Sequence, residues 1–453
     1  MNTYSSYKDS GIEWIGEIPS GWRIEKLKYI GNLYGGLTGK SGKDFNNEDN
    51  PYNKPFIPFT NIFNNVYISS NHFQYVNIKP DERQNRVIKN DLFFLMSSEG
   101  YEDLGKSSIL ISEIDELYLN SFCKGYRVNT DDVNPLFVNY QLLGNTHRKL
   151  ISIEGKGFTR INLRQDKLKN TYMFIPPLQE QQQIVDYLDK KTSKIDKLIE
   201  KTEQKIELLK EQRTSLINTT VTKGLDPNVG MKDSGIEWIG EIPSGWRIEK
   251  LKYIGNLYGG LTGKSGKDFN NEDNPYNKPF IPFTNIFNNV YISSNHFQYV
   301  NIKPDERQNR VIKNDLFFLM SSEGYEDLGK SSILISEIDE LYLNSFCKGY
   351  RVNTDDVNPL FVNYQLLGNT HRKLISIEGK GFTRINLRQD KLKNTYMFIP
   401  PLQEQQQIVD YLDKKTSKID KLIEKTEQKI ELLKEQRTSL INTTVTKGLD
   451  PNV

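Results

Sequence analysis

The residues best placed to do chemistry lie in "NLYGGLTGKSGKD", residues 32–44. Gly39-Lys40-Ser41 behind a glycine pair has the residue types that end a phosphate-binding P-loop, in which backbone amides and a lysine hold a nucleotide. The spacing argues against that chemistry. A P-loop sets a glycine five residues before its Gly-Lys-Ser glycine, and that position is Tyr34; Gly35 is one residue too close. A helix should follow and aim its N-terminus at the phosphates. Instead "GKDFNNEDNPYNKPF" follows, rich in Asn, Gly and Pro and without a helical apolar period. An NTPase built on residues 35–41 is therefore the weaker reading, and a flexible Gly-rich loop the stronger.

Other catalytic patterns fail in similar ways. "DNPYN" (49–53) lacks the second proline of the [DN]-P-P-[YF] loop of amino-methyltransferases, and "IPPLQ" (175–179) has the proline pair without its flanking residues. Neither is accompanied by a Gly-x-Gly cofactor loop. Asp81 and Glu154-Gly155-Lys156 are too far apart to read as a nuclease carboxylate set. His72, His147, His296 and His371 show no metal-ligand spacing. The chain reads as a binder and not a catalyst, with no metal and no cofactor of its own.

What it could bind is suggested by "RKLISIEGKGFTRINLRQDKLK" (148–169). This segment holds seven basic residues, at 148, 149, 156, 160, 164, 167 and 169, against two acids. Phe158, Thr159 and Asn162 are interleaved. Phosphate contacts need such a local basic distribution, although a solvated helix face would show it too. The loop at 35–43 adds Lys40 and Lys43. "PFTNIFNN" (58–65) and "MSSEG" (96–100) add Thr, Asn and Ser side chains suited to base edges.

The elements that must position these residues come twice. Residues 8–229 and 232–453 match position by position at an offset of 224, leaving only "MNTYSSY" and Gly230-Met231 outside. Each copy is domain-sized, and whatever one binds the other binds. Within a copy, "DLFFLM" (91–96), "SSILISEI" (107–114) and "LYLNSFCKGYRV" (117–128) predict strands. "NPLFVNYQLLGNTHRKLI" (134–151) predicts one helix, with Asn134 as N-cap and Pro135 at its first position. Residues 8–175 thus form an α/β globule with long loops.

After Pro176-Pro177 the pattern changes. Residues 178–223 contain no Pro or Gly, and heptads fit. Val185, Thr192, Ile199, Ile206 and Arg213 take the a positions; Leu188, Ile195, Thr202, Leu209 and Leu216 take the d positions. Seven of the ten are apolar, which predicts a coiled coil of roughly 60–70 Å. Thr192, Thr202 and Arg213 would weaken it and could set register. The natural partner is the second copy, 402–447, where Leu412, Ile419, Ile423, Ile430, Leu433 and Leu440 repeat the apolar set. The expected architecture is two α/β globules joined by a two-helix rod, with a pseudo-two-fold axis across its middle if the rod is antiparallel. The alternative folds each helix back on its own globule. The expected divisions are 1–177, 178–223, 224–401 and 402–453.

Composition bounds the class. No apolar run approaches membrane-spanning length, no signal peptide is evident at the start, and two cysteines support neither a disulfide framework nor a cysteine zinc cluster. A reducing cytoplasm is expected. A net charge of +2 does not by itself announce a nucleic-acid binder.

Together the pieces resemble the specificity subunit of type I restriction–modification systems. The resemblance rests on "DSGIEWIGEIPSGWRIEKLKYI", on "VIKNDLFFLMSSEG" and above all on "EGKGFTRINLRQDKLKNTYMFIPPLQEQQQIVDYLD". The second is similar to the family's Gly-Asp-hydrophobic turn, with Lys89-Asn90 where Gly is usual. The third is similar to a Gly-Thr-Arg-x-x-Leu loop running into a Pro-Pro-Leu-x-Glu-Gln helix start. The resemblance implies two recognition domains separated by an antiparallel two-helix coiled coil, each reading half of a split DNA target. It implies partners: two methyltransferase subunits using S-adenosylmethionine on adenine, and motor/nuclease subunits, where present, using ATP and magnesium. It implies no catalysis by this chain. Two identical copies imply a split palindrome. Carried onto this chain, the DNA-facing loops are Thr38, Lys40, Ser41, Thr60, Asn61, Ser97, Ser98, Lys156, Thr159 and Arg160, with Thr262, Lys264, Ser265, Thr284, Asn285, Ser321, Ser322, Lys380, Thr383 and Arg384 in the second copy. Lys40, Lys156 and Arg160 are phosphate or guanine candidates. A coiled-coil scaffold that binds only protein is the competing reading.

Overall fold

The structure, a computed structural model, describes residues 4, 6–12, 15–46, 50–129, 131–236, 239–269 and 274–449. Asp49 of the "DNPYN" stretch lies outside them. The chain forms two compact units, Met1–Glu203 with Gln428–Val453, and Gln204–Glu427. The units do not end where the long helices begin. Each takes the first half of its own helix and the last half of the other.

In the first unit the strands are β1 (Tyr7–Asp9), β2 (Glu17–Pro19), β3 (Arg23–Lys26), β4 (Gly31–Gly35), β5 (Asn53–Ile57), β6 (Gln74–Asn77), β7 (Leu92–Leu95), β8 (Ser97–Ser98), β9 (Ser107–Ile109), β10 (Tyr118–Leu119), β11 (Cys123–Val128), β12 (Ile161–Asn162) and β13 (Tyr172–Ile175). The helices are α1 (Leu27–Ile30), α2 (Phe59–Asn64), α3 (Pro135–Leu143), α4 (Asn145–Ser152), α5 (Gln165–Lys169) and α6 (Leu178–Lys223). The central sheet is antiparallel in the order β4-β11-β7-β9, and a second sheet runs β10-β5-β6. The same elements and pairings recur 224 residues on in the second unit.

Strand β7 accounts for the uninterrupted apolar run "LFFL". Its alternating side chains enter two cores: Leu92 and Phe94 pack with Leu27, Val138, Leu142 and Met173; Phe93 and Leu95 pack with Ile57, Ile62, Leu117 and Leu119. A strand covered on both faces must be apolar at every position. Each buried phenylalanine contributes about 1.5–3 kcal/mol. The turn before it is Asn90 at φ 70. That left-handed conformation favours Gly and next Asn, so Asn90 fills the place where glycine is usual. Asp91 behind it is fully buried, yet it is held by Arg127 through Nε (2.8 Å) and Nη2 (2.7 Å) and by the Tyr34 hydroxyl at 2.7 Å.

Three local expectations change. The single helix over 134–151 is two helices broken at Gly144, where ψ is 141°. The N-cap holds, since the Asn134 side chain accepts from the Leu136 amide at 2.9 Å. At the break, Asn442 of the second long helix (Leu402–Lys447) accepts from the Thr146 amide at 3.0 Å and its hydroxyl at 2.9 Å, supplying the cap that Gly144 lacks. A Cβ at residue 144 would crowd the Gln141 carbonyl oxygen at 3.1 Å and lie in ordinary contact with Val445 and Asn442. The strand expected over 117–128 is cut at Asn120, whose side chain accepts from the Phe122 amide at 2.8 Å and turns the chain from the second sheet into the first. The strand over 107–114 stops at Ile109.

The helix pair runs antiparallel within each unit. In the first unit Arg437 Nε donates to Asp196 at 2.7 Å while Ile441 and Val445 pack with Ile184, Val185 and Leu188. In the second, Arg213 donates to Asp420 at 2.7 Å while Ile217 and Val221 pack with Ile408, Val409 and Leu412. Every a and d residue of both helices is buried or half-buried, whereas the off-heptad Leu208 and Leu432 are exposed. Thr192 and Thr202 are tolerated in the seam because each hydroxyl bonds the carbonyl four residues back, at 2.8 and 2.6 Å. The helix ends are not bare rod. Ile184, Val185 and Leu188 share a core with Ile18, Trp22, Phe137 and Phe174 of the globule. Folding back and pairing therefore both occur, because Ile184, Ile217 and Ile441 lie outside the heptad and widen the apolar stripe.

Candidate nucleic-acid interface

The site is built on a two-strand ribbon. β12 pairs antiparallel with β8, setting Ile161 opposite Ser98 and Asn162 opposite Ser97. Ile161 and Leu163 are buried and anchor the ribbon in the core. Ahead of β12 the chain closes a tight loop: the Lys156 amide donates to the Asn162 carbonyl at 3.1 Å, and the Asn162 amide returns a bond to the Lys156 carbonyl at 2.9 Å. Gly157 makes the turn at φ 145, where any Cβ would lie 2.0 Å from the Arg160 carbonyl oxygen. Lys156, Phe158, Thr159 and Arg160 lie on this loop, all of them exposed. The fold thus brings Ser97, Ser98, Lys156, Thr159 and Arg160 to one place, and likewise Ser321, Ser322, Lys380, Thr383 and Arg384 in the second unit.

The basic segment divides by partner. Arg148 is tied to the carbonyls of Glu102 and Leu104 at 2.8 and 2.7 Å, Arg164 to Asp166 at 2.9 Å, and Lys167 to Glu154 at 2.8 Å. Among the described residues Lys149, Lys156, Arg160 and Lys169 have no ion pair. Cations without a carboxylate neighbour are the ones able to meet phosphate.

The loop at 38–44 is placed differently from what its sequence suggested. The Lys40 ammonium is paired with Glu82 and its side chain is only 5% exposed; Lys264 is likewise paired with Glu306 at 4%. Lys40 and Lys264, read as phosphate or guanine candidates, thus face carboxylates, and the Glu82 carboxyl is held below its usual range chiefly by the Lys40 bond. Ser41 is drawn to Asp44, which accepts from its amide at 2.8 Å and its hydroxyl at 3.0 Å; Ser265 and Asp268 repeat this. A nucleotide phosphate here would meet two acids, which disfavours the NTPase reading on electrostatic grounds. Thr38 is exposed, with its amide on Gln84 at 3.0 Å, and Thr262 is placed alike on Gln308.

Two further candidates turn inward. Asn61 is buried and brackets its own loop, donating to the Ser69 carbonyl at 2.8 Å and accepting from the Ser69 amide at 3.2 Å; Asn285 does the same with Ser293. Ser98 is buried and donates to the Gly100 carbonyl at 2.6 Å, as Ser322 does to Gly324. Their side chains serve the fold. Thr60 and Thr284, on the same short helices, remain exposed.

The motifs that carried the resemblance hold the globule to the helix. Trp22 Nε1 donates to Glu180 at 3.1 Å. The buried Gln181 side chain accepts from the Asn134 amide at 2.7 Å and donates to the carbonyls of Asp132 and Pro176 at 2.9 and 2.8 Å. A network not evident in the sequence adds to this. Asp189 on α6 accepts from the hydroxyls of both Tyr67 (2.6 Å) and Tyr140, and Tyr140 also lies 3.4 Å from the Thr192 hydroxyl. Burial first, and then Asp189, push the Tyr140 phenol up to about 12 and Tyr67 higher still. Tyr67, Tyr140 and Asp189 lie far apart in the chain, so no spacing could have revealed them. Among the described residues no group of His, Cys, Asp or Glu is placed to hold a metal, and no helix is long and apolar enough to cross a membrane.

Comparison with known proteins agrees with this assembly. Residues 19–208 and 243–432 each match the family described as the type I restriction modification DNA specificity domain. A proposed type I restriction enzyme specificity subunit of Methanocaldococcus jannaschii, MjaX, is 25% identical over 442 residues, covering 95% of this chain and 94% of that one. The StySPI specificity subunit of Salmonella potsdam is 22% identical over 401 residues, covering 87% and 82%. Two solved structures share the fold. One, from work on the assembly and conformational transition of the type I R-M system, has a TM-score of 0.70 at 16% identity and covers 95% of this chain and 99% of its own. The other, an HsdS subunit from Thermoanaerobacter tengcongensis, has a TM-score of 0.51 at 16% identity and covers 95% and 98%. With both copies matched, this chain belongs to the type I restriction–modification DNA specificity family.

Proposed function

We propose that this chain is the specificity subunit of a type I restriction–modification complex in which each copy reads the same half of a split DNA target. The observation that carries the reading is the ribbon of Ser97–Ser98 and Ile161–Asn162, present once in each copy, with its loop of cations that have no ion pair among the described residues. Lys156 and Arg160 supply charge to phosphates, Arg160 can also fork onto a guanine, and Thr159 and Ser97 offer hydroxyls to base edges. Because 8–229 and 232–453 are identical, the two half-sites are identical. Two identical half-sites read by two identical domains make the expected target a palindrome interrupted by an unread spacer.

The chain does no chemistry in this scheme. Two methyltransferase subunits dock on the long helices and transfer a methyl group from S-adenosylmethionine to adenine N6. Motor/nuclease subunits, where present, bring ATP and magnesium, and the complex works in the cytoplasm.

Methylation mapping tests the proposal. The chain is co-expressed with a type I methyltransferase subunit in cells lacking other adenine methylation, and modified adenines are located by single-molecule sequencing. A split palindrome methylated on both strands is expected. An asymmetric split motif would show that the copies are not read equivalently. Absence of any motif with the methyltransferase demonstrably bound would favour a protein-only scaffold.

A further inference from the structure

Phe158 is 105% exposed, and so is its copy Phe382. A scattered exposed apolar residue is ordinary; this one stands on a closed loop. The loop is closed by two reciprocal backbone bonds between Lys156 and Asn162, at 3.1 and 2.9 Å. Gly157 at φ 145 is the only residue type that can make the turn, and the ring that follows meets open solvent. The ring stands between two cations, Lys156 and Arg160, that have no carboxylate partner among the described residues. A second open ring is near: in the copy, Arg384 lies 6.0 Å from the centroid of Phe346, itself 63% exposed.

An apolar ring presented on a braced loop between unpaired cations suits a ligand whose anionic backbone flanks flat, apolar-faced bases. We propose that Phe158 and Phe382 are specificity-determining contacts that pack on the apolar surface of a base pair in each half-site. The inference rests on the DNA-reading proposal above and adds the residue that the basic loop presents. A protein partner is the less fitting occupant, since the loop offers charge of one sign, Lys156 and Arg160, on either side of the ring in the chain.

The test uses the full chain assembled with its methyltransferase subunits. Affinity is measured by fluorescence anisotropy at two salt concentrations. The probes are a duplex carrying the mapped motif, a shuffled duplex of the same composition, and motif duplexes with each thymine replaced by deoxyuridine. Phe158→Ala with Phe382→Ala is expected to lose about tenfold on the motif duplex, with unchanged binding to the shuffled duplex and an unchanged salt slope. Phe158→Leu with Phe382→Leu is expected to keep most of the affinity. A deoxyuridine that weakens the wild type but not the Ala variant identifies a thymine methyl as the contact. A motif-specific loss in the Ala variant that no deoxyuridine reproduces in the wild type identifies a base face other than a thymine methyl. Either result supports the proposal. Equal affinity of Ala variant and wild type for the motif overturns it. So does an equal loss on motif and shuffled duplexes, or loss of methyltransferase subunits from the variant on size exclusion, which would mark a protein contact. A wild type that does not tell motif from shuffled duplex removes the DNA-reading proposal itself, and this inference with it. An unchanged melting temperature of both variants separates these outcomes from misfolding.

Discussion

Arg160 and Lys40 carry the same charge and both sit in loops, yet their surroundings give them different work. Arg160 has no carboxylate partner among the described residues and stands on an exposed loop; Lys40 is covered and paired with Glu82. Arg160→Ala with Arg384→Ala should therefore weaken specific DNA binding by about 1–3 kcal/mol per base pair contacted, or lower the salt slope by about one unit per phosphate lost. Lys40→Ala with Lys264→Ala should leave both unchanged in the same titration. His147 is a different case. It is fully buried, its Nε2 lies 2.9 Å from the Tyr172 carbonyl, and its Nδ1 has no partner among the described residues. Burial lowers it to about 4, and His371 follows. The folded state thus binds fewer protons than the unfolded state between about pH 4 and 6.5. Stability is fully present above pH 6.5 and falls as the pH drops through that window, by on the order of 3 kcal/mol per histidine at most. Urea midpoints at pH 7 and pH 5 should show the fall, and His147→Gln with His371→Gln should flatten it.

Among the elements, α6 matters for what it fastens as much as for its length. Asp189 receives two tyrosine hydroxyls, one from the loop after α2 and one from α3, so a single carboxylate ties two parts of the recognition globule to the helix. Asp189→Ala with Asp413→Ala leaves those partly buried phenols without their acceptor. A loss of about 1–3 kcal/mol per unit is expected in urea unfolding, with the loop at 156–160 untouched. The long helices were legible because an apolar residue every 3.5 positions, kept up over many turns, draws one stripe along one face of a helix, and such a stripe needs a second helix to cover it. The break at Gly144 was not. "NPLFVNYQLLGNTHRKLI" has helical composition on both sides of the glycine, and only Asn442, from another helix, makes a fresh start at Asn145 favourable.

At the scale of the molecule the repeat sets the logic. Arg160→Ala alone and Arg384→Ala alone should reduce motif binding equally, since each disables one of two identical readers. Unequal losses in matched titrations would mean that the copies have distinct roles. Each compact unit also needs the last half of the other copy's helix, Gln428–Val453 for the first unit and Gln204–Lys223 for the second. A half-length chain, residues 1–230, cannot complete its Ile184–Val185–Leu188 core without Ile441 and Val445 or their copies. It should run as a dimer by light scattering, and a folded monomer would contradict the packing.

The sequence by itself determined the repeat, the α/β character of each copy, the long heptad helices and the family, because these rest on local periodicity and on short contiguous motifs. Tertiary structure alone decided which polar residues are available to a ligand. Asn61 and Lys40 have the chemistry of DNA contacts, but each is claimed by another group of the same fold: the Ser69 backbone and the Glu82 carboxylate. Phe158 has the chemistry of a core residue and points to solvent instead. A side chain's partners are set by which segments the fold brings within hydrogen-bond reach, and no spacing along the chain encodes that distance.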